Sequence, residues 1–245
     1  MKQWTLIGGL VVAALGVATV IVVGPSLMQP PGADSARVAA SGLPWQIEVL
    51  PDGGSRVMGL ALGPRPDGAE PAAQGSTLAD VRRRWGADVQ IAIIAAPGED
   101  GALEAFVDPA QVGFISGKLV VSAHVPANVL RGLRERAIKS EFMESTTRKY
   151  TLDPADEATA LAAPVSALNF IPQAGLDEQT ILTRFGTPAE RVRSNGHLEH
   201  FLYPDRGLDV ILDTEGKELI QYVAPARFER LRRPLRAASG VASGN

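Results

Sequence analysis

The sequence predicts an α+β protein, an N-terminal transmembrane helix followed by two tandem helix-plus-antiparallel-sheet units. Three observations carry that expectation. An uncharged apolar run opens the chain. One helix ending is written twice, a hundred residues apart, as "VRRRWG" and "LTRFG". Short alternating, β-branched runs follow each copy.

The apolar run is Trp4 to Gly24, with no charge over 21 residues. A helix of that length spans roughly 30 Å, the hydrocarbon thickness of a bilayer. Its apolar core is longer than that of a cleavable signal peptide, and the best cleavage-like site, "VAAS", lies well beyond it. Residues 1–24 are therefore expected to be an uncleaved signal anchor. The amine of Met1 and Lys2 sit on one side of the span, and no charge follows it before Asp34. Positive charge favours the cytoplasmic side. The expected address is the inner membrane, single pass, with the N-terminus cytoplasmic and the C-terminal domain periplasmic.

Residues 25–43 are rich in Pro, Gly, Ala and Ser and read as a flexible linker. The first α+β repeat is placed at 44–126. It opens on the hairpin "WQIEVL", "PDGG", "RVMGLALG". Thr77 then caps a helix, with Asp80 three residues on as a variant capping box. Leu78, Val81 and Trp85 keep helical spacing, and Gly86 stops the helix. The runs "VQIAIIA", "ALEAFVD", "VGFIS" and "KLVVSAHV" read as strands.

A helical connector is expected at 127–163, with a helix from Ala127 to Glu144, the short strand "KYTL" and a second helix capped by Asp153. The second repeat, 164–226, follows the order of the first. "PVSALNFIP" matches "RVMGLALG"; Asp177 takes the place of Thr77, Phe185 that of Trp85, and Gly186 that of Gly86. Pro188 keeps the helix stopped. "LEAF" at 103–106 is echoed by "LEHF" at 198–201. Residues 227–245 form a basic tail with five arginines against one glutamate, expected to be solvated and disordered.

The second repeat resembles the BamE/SmpA type of bacterial envelope domain. The matching residues are Gly186, Thr187 and Pro188 after the helix, then Phe201 and Tyr203, an aromatic pair two apart. The resemblance covers roughly 165–224, with a weaker echo across 56–125. As a tandem pair it also resembles the architecture of the β-lactamase inhibitor protein. It implies a non-catalytic docking module with helices on one sheet face and the other face open to a partner. The chain departs from that family in using an apolar run where the family has a lipidated cysteine.

Chemistry is sparse. The formal net charge is −3, and the body without its tail is more acidic still, which argues against nucleic acid. No cysteine is present, so thiolate catalysis and Cys-based zinc sites are excluded. No Gly-x-Ser-x-Gly, Walker or dinucleotide pattern occurs. His197 and His200 fall on alternate faces of a strand, too few ligands together for a closed zinc site. The sequence therefore assigns no cofactor, no metal and no catalytic residue. It points to a protein-interaction module docking another envelope protein through a sheet face formed by His197, Glu199, Phe201, Tyr203, Ile211 and Tyr222, a mix of aromatics and charges. The alternatives are a lipid or cell-wall-fragment binder and an envelope hydrolase.

Overall fold

The computed structural model describes residues 43–64, 75–143 and 146–242. The chain enters through a small antiparallel sheet of β1 (Glu48–Val49), β2 (Ser55–Val57) and β3 (Leu60–Leu62). Met58 and Gly59, with φ of 53° and 76°, make the β2–β3 turn. Helix α1 (Leu78–Trp85) follows, then a meander of β4 (Gln90–Ala95), β5 (Ala102–Val112) and β6 (Ile115–Ala123). Next come α2 (Ala127–Glu135), the hairpin β7 (Lys139–Phe142) and β8 (Arg148–Thr151), and α3 (Glu157–Leu161). Strand β9 (Val165–Pro172) leads to α4 (Glu178–Phe185) and a second meander, β10 (Glu190–Arg193), β11 (Leu198–Tyr203), β12 (Leu208–Asp213) and β13 (Leu219–Val223). Helix α5 (Glu229–Ala242) ends the described chain.

The expected fold class is corrected here. In place of two tandem units, each with its own sheet, ten strands form one antiparallel sheet in the order β10-β11-β12-β13-β9-β6-β5-β4-β8-β7. The cause is β9. It pairs with β6 on one edge and β13 on the other, and so fuses the two meanders. Its sequence "VSALNFIP" contains no glycine and stays a single strand, whereas "RVMGLALG" breaks at Gly59 into a hairpin of the small sheet. The two segments matched as lead-ins therefore do different jobs. One hydrophobic core also spans both halves: Leu78 and Val81 of α1, Ile181 and Phe185 of α4, and Leu103, Leu168, Val210 and Tyr222 of the sheet belong to the same cluster. The Leu-Glu-x-Phe echo dissolves in three dimensions. Leu103 lies in the core and Phe106 outside it, whereas Phe201 lies in the core and Leu198 outside it.

Three further expectations change. Among the described residues no helix is long and apolar enough to cross a membrane, so the single-pass inner-membrane address is withdrawn. The run 4–24 and the linker to residue 42 on which it rested lie outside the described residues. The connector helix stops at Glu135, because Lys139–Phe142 pairs with Arg148–Thr151 at the sheet edge. The basic tail is helical through Ala242 rather than disordered: Phe228, Leu231 and Leu235, at spacings of three and four, pack against Ala167, Leu202 and Val223 on the second face of the sheet.

The two helix stops share one geometry. Both helices have eight residues and extended N-cap residues, Thr77 (φ −110°, ψ 172°) and Asp177 (φ −102°, ψ 168°). Asp80 accepts a hydrogen bond from the Thr77 amide at 2.8 Å, and Asp177 accepts one from the Thr180 amide at 2.7 Å. The glycines lie at φ 96°, ψ −178° (Gly86) and φ 81°, ψ −169° (Gly186). This is not the left-handed helical well but a region that is essentially glycine-only. A Cβ at either position would meet no atom within 4 Å, so only backbone strain opposes substitution. Gly86→Ala and Gly186→Ala should therefore each cost roughly 1–3 kcal/mol of stability. Denaturant midpoints measure this; a variant as stable as the parent would show that the backbone is not held there.

Candidate functional site

The expected docking face is the inner wall of the core. The antiparallel register pairs Phe201 with Val210 and Tyr203 with Leu208. The sequence reading had grouped Phe201 and Tyr203 with Ile211, one residue out of register, and a slip of one residue exchanges faces. Phe201, Tyr203 and Tyr222 are buried in the core, and Ile211 is buried on the opposite face. Glu199 accepts from Arg191 Nε at 3.0 Å, and Arg191 also reaches Glu178 at 2.7 Å while stacking over Phe201 at 4.5 Å. His197 Nδ1 lies 2.9 Å from Asp213 Oδ1, which raises the imidazole pKa.

These residues nevertheless support an accessible surface one layer out. The Tyr222 hydroxyl, fully buried, donates to the Pro44 carbonyl at 2.8 Å and so fixes the residue before Trp45. The Tyr203 hydroxyl donates to the Gly186 carbonyl at 2.8 Å, and Arg206 donates to the Phe185 carbonyl at 2.6 Å, so both ends of the α4 stop are tied down. Phe185 meets Tyr203 on one side at 6.3 Å between ring centroids and Trp45 on the other at 6.5 Å, edge to face. Trp45 in turn lies 6.2 Å from Phe114, at the β5–β6 turn. The result is an apolar groove of about 560 Å³ lined by Trp45, Phe114, Phe170, Leu176, Phe185 and Ile220. Phe114 is 71 % exposed at its rim. The Arg184 guanidinium stacks 4.7 Å over Trp45, is exposed, and makes no ion pair among the described residues. Of the repeat-signature residues, Phe185 lines this groove and Gly186 ends the helix beside it; Pro188 follows at the start of β10. Thr77, Trp85 and Gly86 belong to α1, elsewhere on the core, with Trp85 Nε1 donating to the Gln111 carbonyl at 3.3 Å.

A second cavity, of about 320 Å³, opens on the other face of the sheet. The β4–β5 turn, the end of β6, α2 and the first turn of α5 enclose it. Glu104 and Ser122 pair across β5 and β6, and both are buried, at 7 % exposure each. A register shift in the β6–β9 pairing near Ser166 brings that hydroxyl to the same cavity, where it donates to the Ser122 carbonyl at 3.2 Å. Burial lifts the Glu104 carboxyl to about 7, tempered by the neighbouring Ser122 hydroxyl. That hydroxyl makes no hydrogen bond of good geometry itself. The sequence reading passed over Glu104 as part of an echo. Its mark is an acid on the face opposite Leu103 and Ala105, with no basic residue paired to it across the strands.

A third cluster bears on the hydrolase alternative. Ser194 Oγ lies 3.0 Å from His200 Nε2, and His200 Nδ1 lies 2.8 Å from Asp209 Oδ2. This is the hydrogen-bond order of a nucleophile, a base and an orienting acid. Two features oppose that role. Asp209 is 1 % exposed, its Oδ1 has no hydrogen-bond partner among the described residues, and burial raises its pKa, which weakens the anion needed to stabilise an imidazolium. His200 is also buried, at 6 % exposure, so the base has little access to a substrate. The cluster ties β10, β11 and β12 together. Among the described residues no group of three or more His, Asp or Glu gathers as metal ligands.

Compared with known proteins, the chain matches no family model, no curated protein and no solved structure.

The Glu104 environment has a measurable signature. A carboxyl whose folded pKa is raised from 4.5 to about 7 stabilises the fold only while protonated. That stability is complete below the unfolded value and declines as pH rises to the folded one. Across this window the loss is ~3 kcal/mol. Glu104→Gln should remove it, so the stability of the variant relative to the parent should rise by about that amount between pH 5 and pH 8. A difference independent of pH would mean the carboxyl is hydrated.

Proposed function

We propose that this chain is a protein-interaction module that docks a partner protein through the groove formed by Trp45, Phe114 and Arg184. One observation carries the reading: Phe114 is 71 % exposed beside a half-buried Trp45 on which Arg184, without an ion pair among the described residues, is stacked. Tryptophan and arginine dominate interface energetics, because they combine large contact area with specific polar ends. An exposed ring beside a concave apolar surface leaves area that a partner would remove from water. The exposed guanidinium favours a partner whose apolar anchor is flanked by a carboxylate. The resemblance of residues 165–224 to the BamE/SmpA type of domain points the same way, toward docking rather than catalysis. A lipid or cell-wall fragment in the same groove is a second reading, favoured by its volume of about 560 Å³ and apolar lining.

A photoreactive benzoylphenylalanine at position 114 of the full chain, in its host cell, tests this. Docking predicts one discrete protein adduct that disappears with Arg184→Glu. The same probe at Phe142, 65 % exposed on the far edge strand β7, should give no such adduct. A small mass increment in place of a protein adduct would favour the lipid or cell-wall reading. Identical adducts at both positions, or none at 114, would remove the groove as a docking surface.

A further inference from the structure

The cavity on the second face of the sheet is lined by two groups of opposite charge, neither in an ion pair among the described residues. Glu104 lies at its inner wall, 93 % removed from solvent and without an ion pair among the described residues. Arg230, in the first turn of α5, lines the same cavity and is likewise without an ion pair among the described residues. The two are not joined to each other. The environment of Glu104 is set by burial and Ser122, and that of Arg230 by burial and its neighbour Arg227. Ser122 Oγ adds a buried hydroxyl at the Glu104 end, with no partner of good geometry among the described residues. Ile94, Leu103 and Leu130 make the walls apolar.

A buried, isolated carboxylate is costly, and an occupant whose cation pairs with Glu104 removes that cost; Arg230, exposed but lining the same cavity, offers the partner for an anion. A simple cation would satisfy Glu104 but meet Arg230. A simple anion would satisfy Arg230 but meet Glu104, with Glu99 of the β4–β5 turn also facing the space. We propose that this cavity binds a small zwitterion of the amino-acid class, with its ammonium group on Glu104 and Ser122 and its carboxylate on Arg230. A volume of about 320 Å³ lies at the small end of ligand pockets, which limits the occupant to a single small molecule. The site is independent of the aromatic groove: it shares no lining residue with it and lies on the opposite face of the sheet.

The test uses the full chain at pH 8, with calorimetry and thermal shift. The probes are the twenty free amino acids, γ-aminobutyrate and 6-aminohexanoate, with butylamine and butyrate as single-charge controls. At least one zwitterion should bind saturably, and at least tenfold more tightly than either control. Glu104→Gln and Arg230→Ala should each weaken it tenfold or more, with circular dichroism confirming an unchanged fold. Arg230 is exposed at its helix, so its variant tests the site even if Glu104→Gln alters stability. Lowering the pH to 5.5 should weaken binding by a similar factor, and His124→Gln, at the imidazole facing the cavity, should leave that response unchanged. Binding of none of the probes, butylamine binding as tightly as the best zwitterion, or full affinity in Arg230→Ala would each overturn the proposal.

Discussion

The architecture depends on β9 being buried on both faces and paired on both edges. Seven of its eight residues are buried, and only Ile171 is partly exposed. A strand in that position gives up no backbone group to water, and every side chain must be accommodated by something above or below the sheet. Leu168 and Phe170 find the common core. Ala167 finds the apolar side of α5. Asn169 has no apolar option and instead accepts from Gln221 on the neighbouring strand at 3.0 Å. The same constraint applies along the whole second face. Its polar side chains pair with one another or with α5, whose Arg232 Nε lies 3.4 Å from Glu190 Oε2. His200 and Asp209 do so, as do Ser166 and the Ser122 carbonyl. Glu104 makes no ion pair among the described residues, and a buried carboxyl of that kind marks its cavity.

What could be read from the sequence divides along local and non-local lines. The stops at Gly86 and Gly186 were legible because a glycine-only backbone conformation imposes itself on one residue, whatever the tertiary setting. The capping roles of Thr77, Asp80 and Asp177 were legible for the same reason. Strand pairing was not. Nothing within β11 or β12 says that Phe201 faces Val210 rather than Asp209, yet that single choice decides whether an aromatic pair is surface or core. The helix over residues 229–242 had its apolar spacing in plain view at Phe228, Leu231 and Leu235, but Pro234 and the Gly- and Ser-rich end argued against it. The covering of the second face by α5 supplied the tertiary contact that outweighs those local preferences.

The docking residues named from sequence were chosen for the right chemistry in the wrong layer. Tyr203 and Tyr222 are amphipathic, with large apolar bodies and one polar tip. Such residues suit an interface, but they also suit the boundary between a core and the loop that rests on it. Both hydroxyls here bond backbone carbonyls, Gly186 and Pro44, that position Phe185 and Trp45. Composition cannot separate those two uses. Their difference lies in whether the hydroxyl has a protein partner, which only the fold supplies. Residues Trp45, Phe114 and Arg184 had no periodic context to mark them, since they come from the entry segment, a hairpin turn and the last turn of a helix.

The same strand that fused the two halves also separates the groove from the cavity. β9 gives Phe170 to the groove on one face and Ser166 to the cavity on the other. Coupling two sites requires an element with two arrangements of similar energy, which both ligands bias. A strand paired along both edges and packed on both faces has no such second arrangement, because sliding it by one residue would exchange Phe170 and its alternating neighbours between two faces packed for different side chains. The register shift near Ser166 is confined to one end and leaves the pairing of Leu168, Asn169 and Phe170 with β6 and β13 intact. Energetic effects at the two sites should therefore add rather than interact, as they do for positions that share no partner. The groove and the cavity are two separate surfaces mounted on one rigid partition, and each must be explained by the groups that line it.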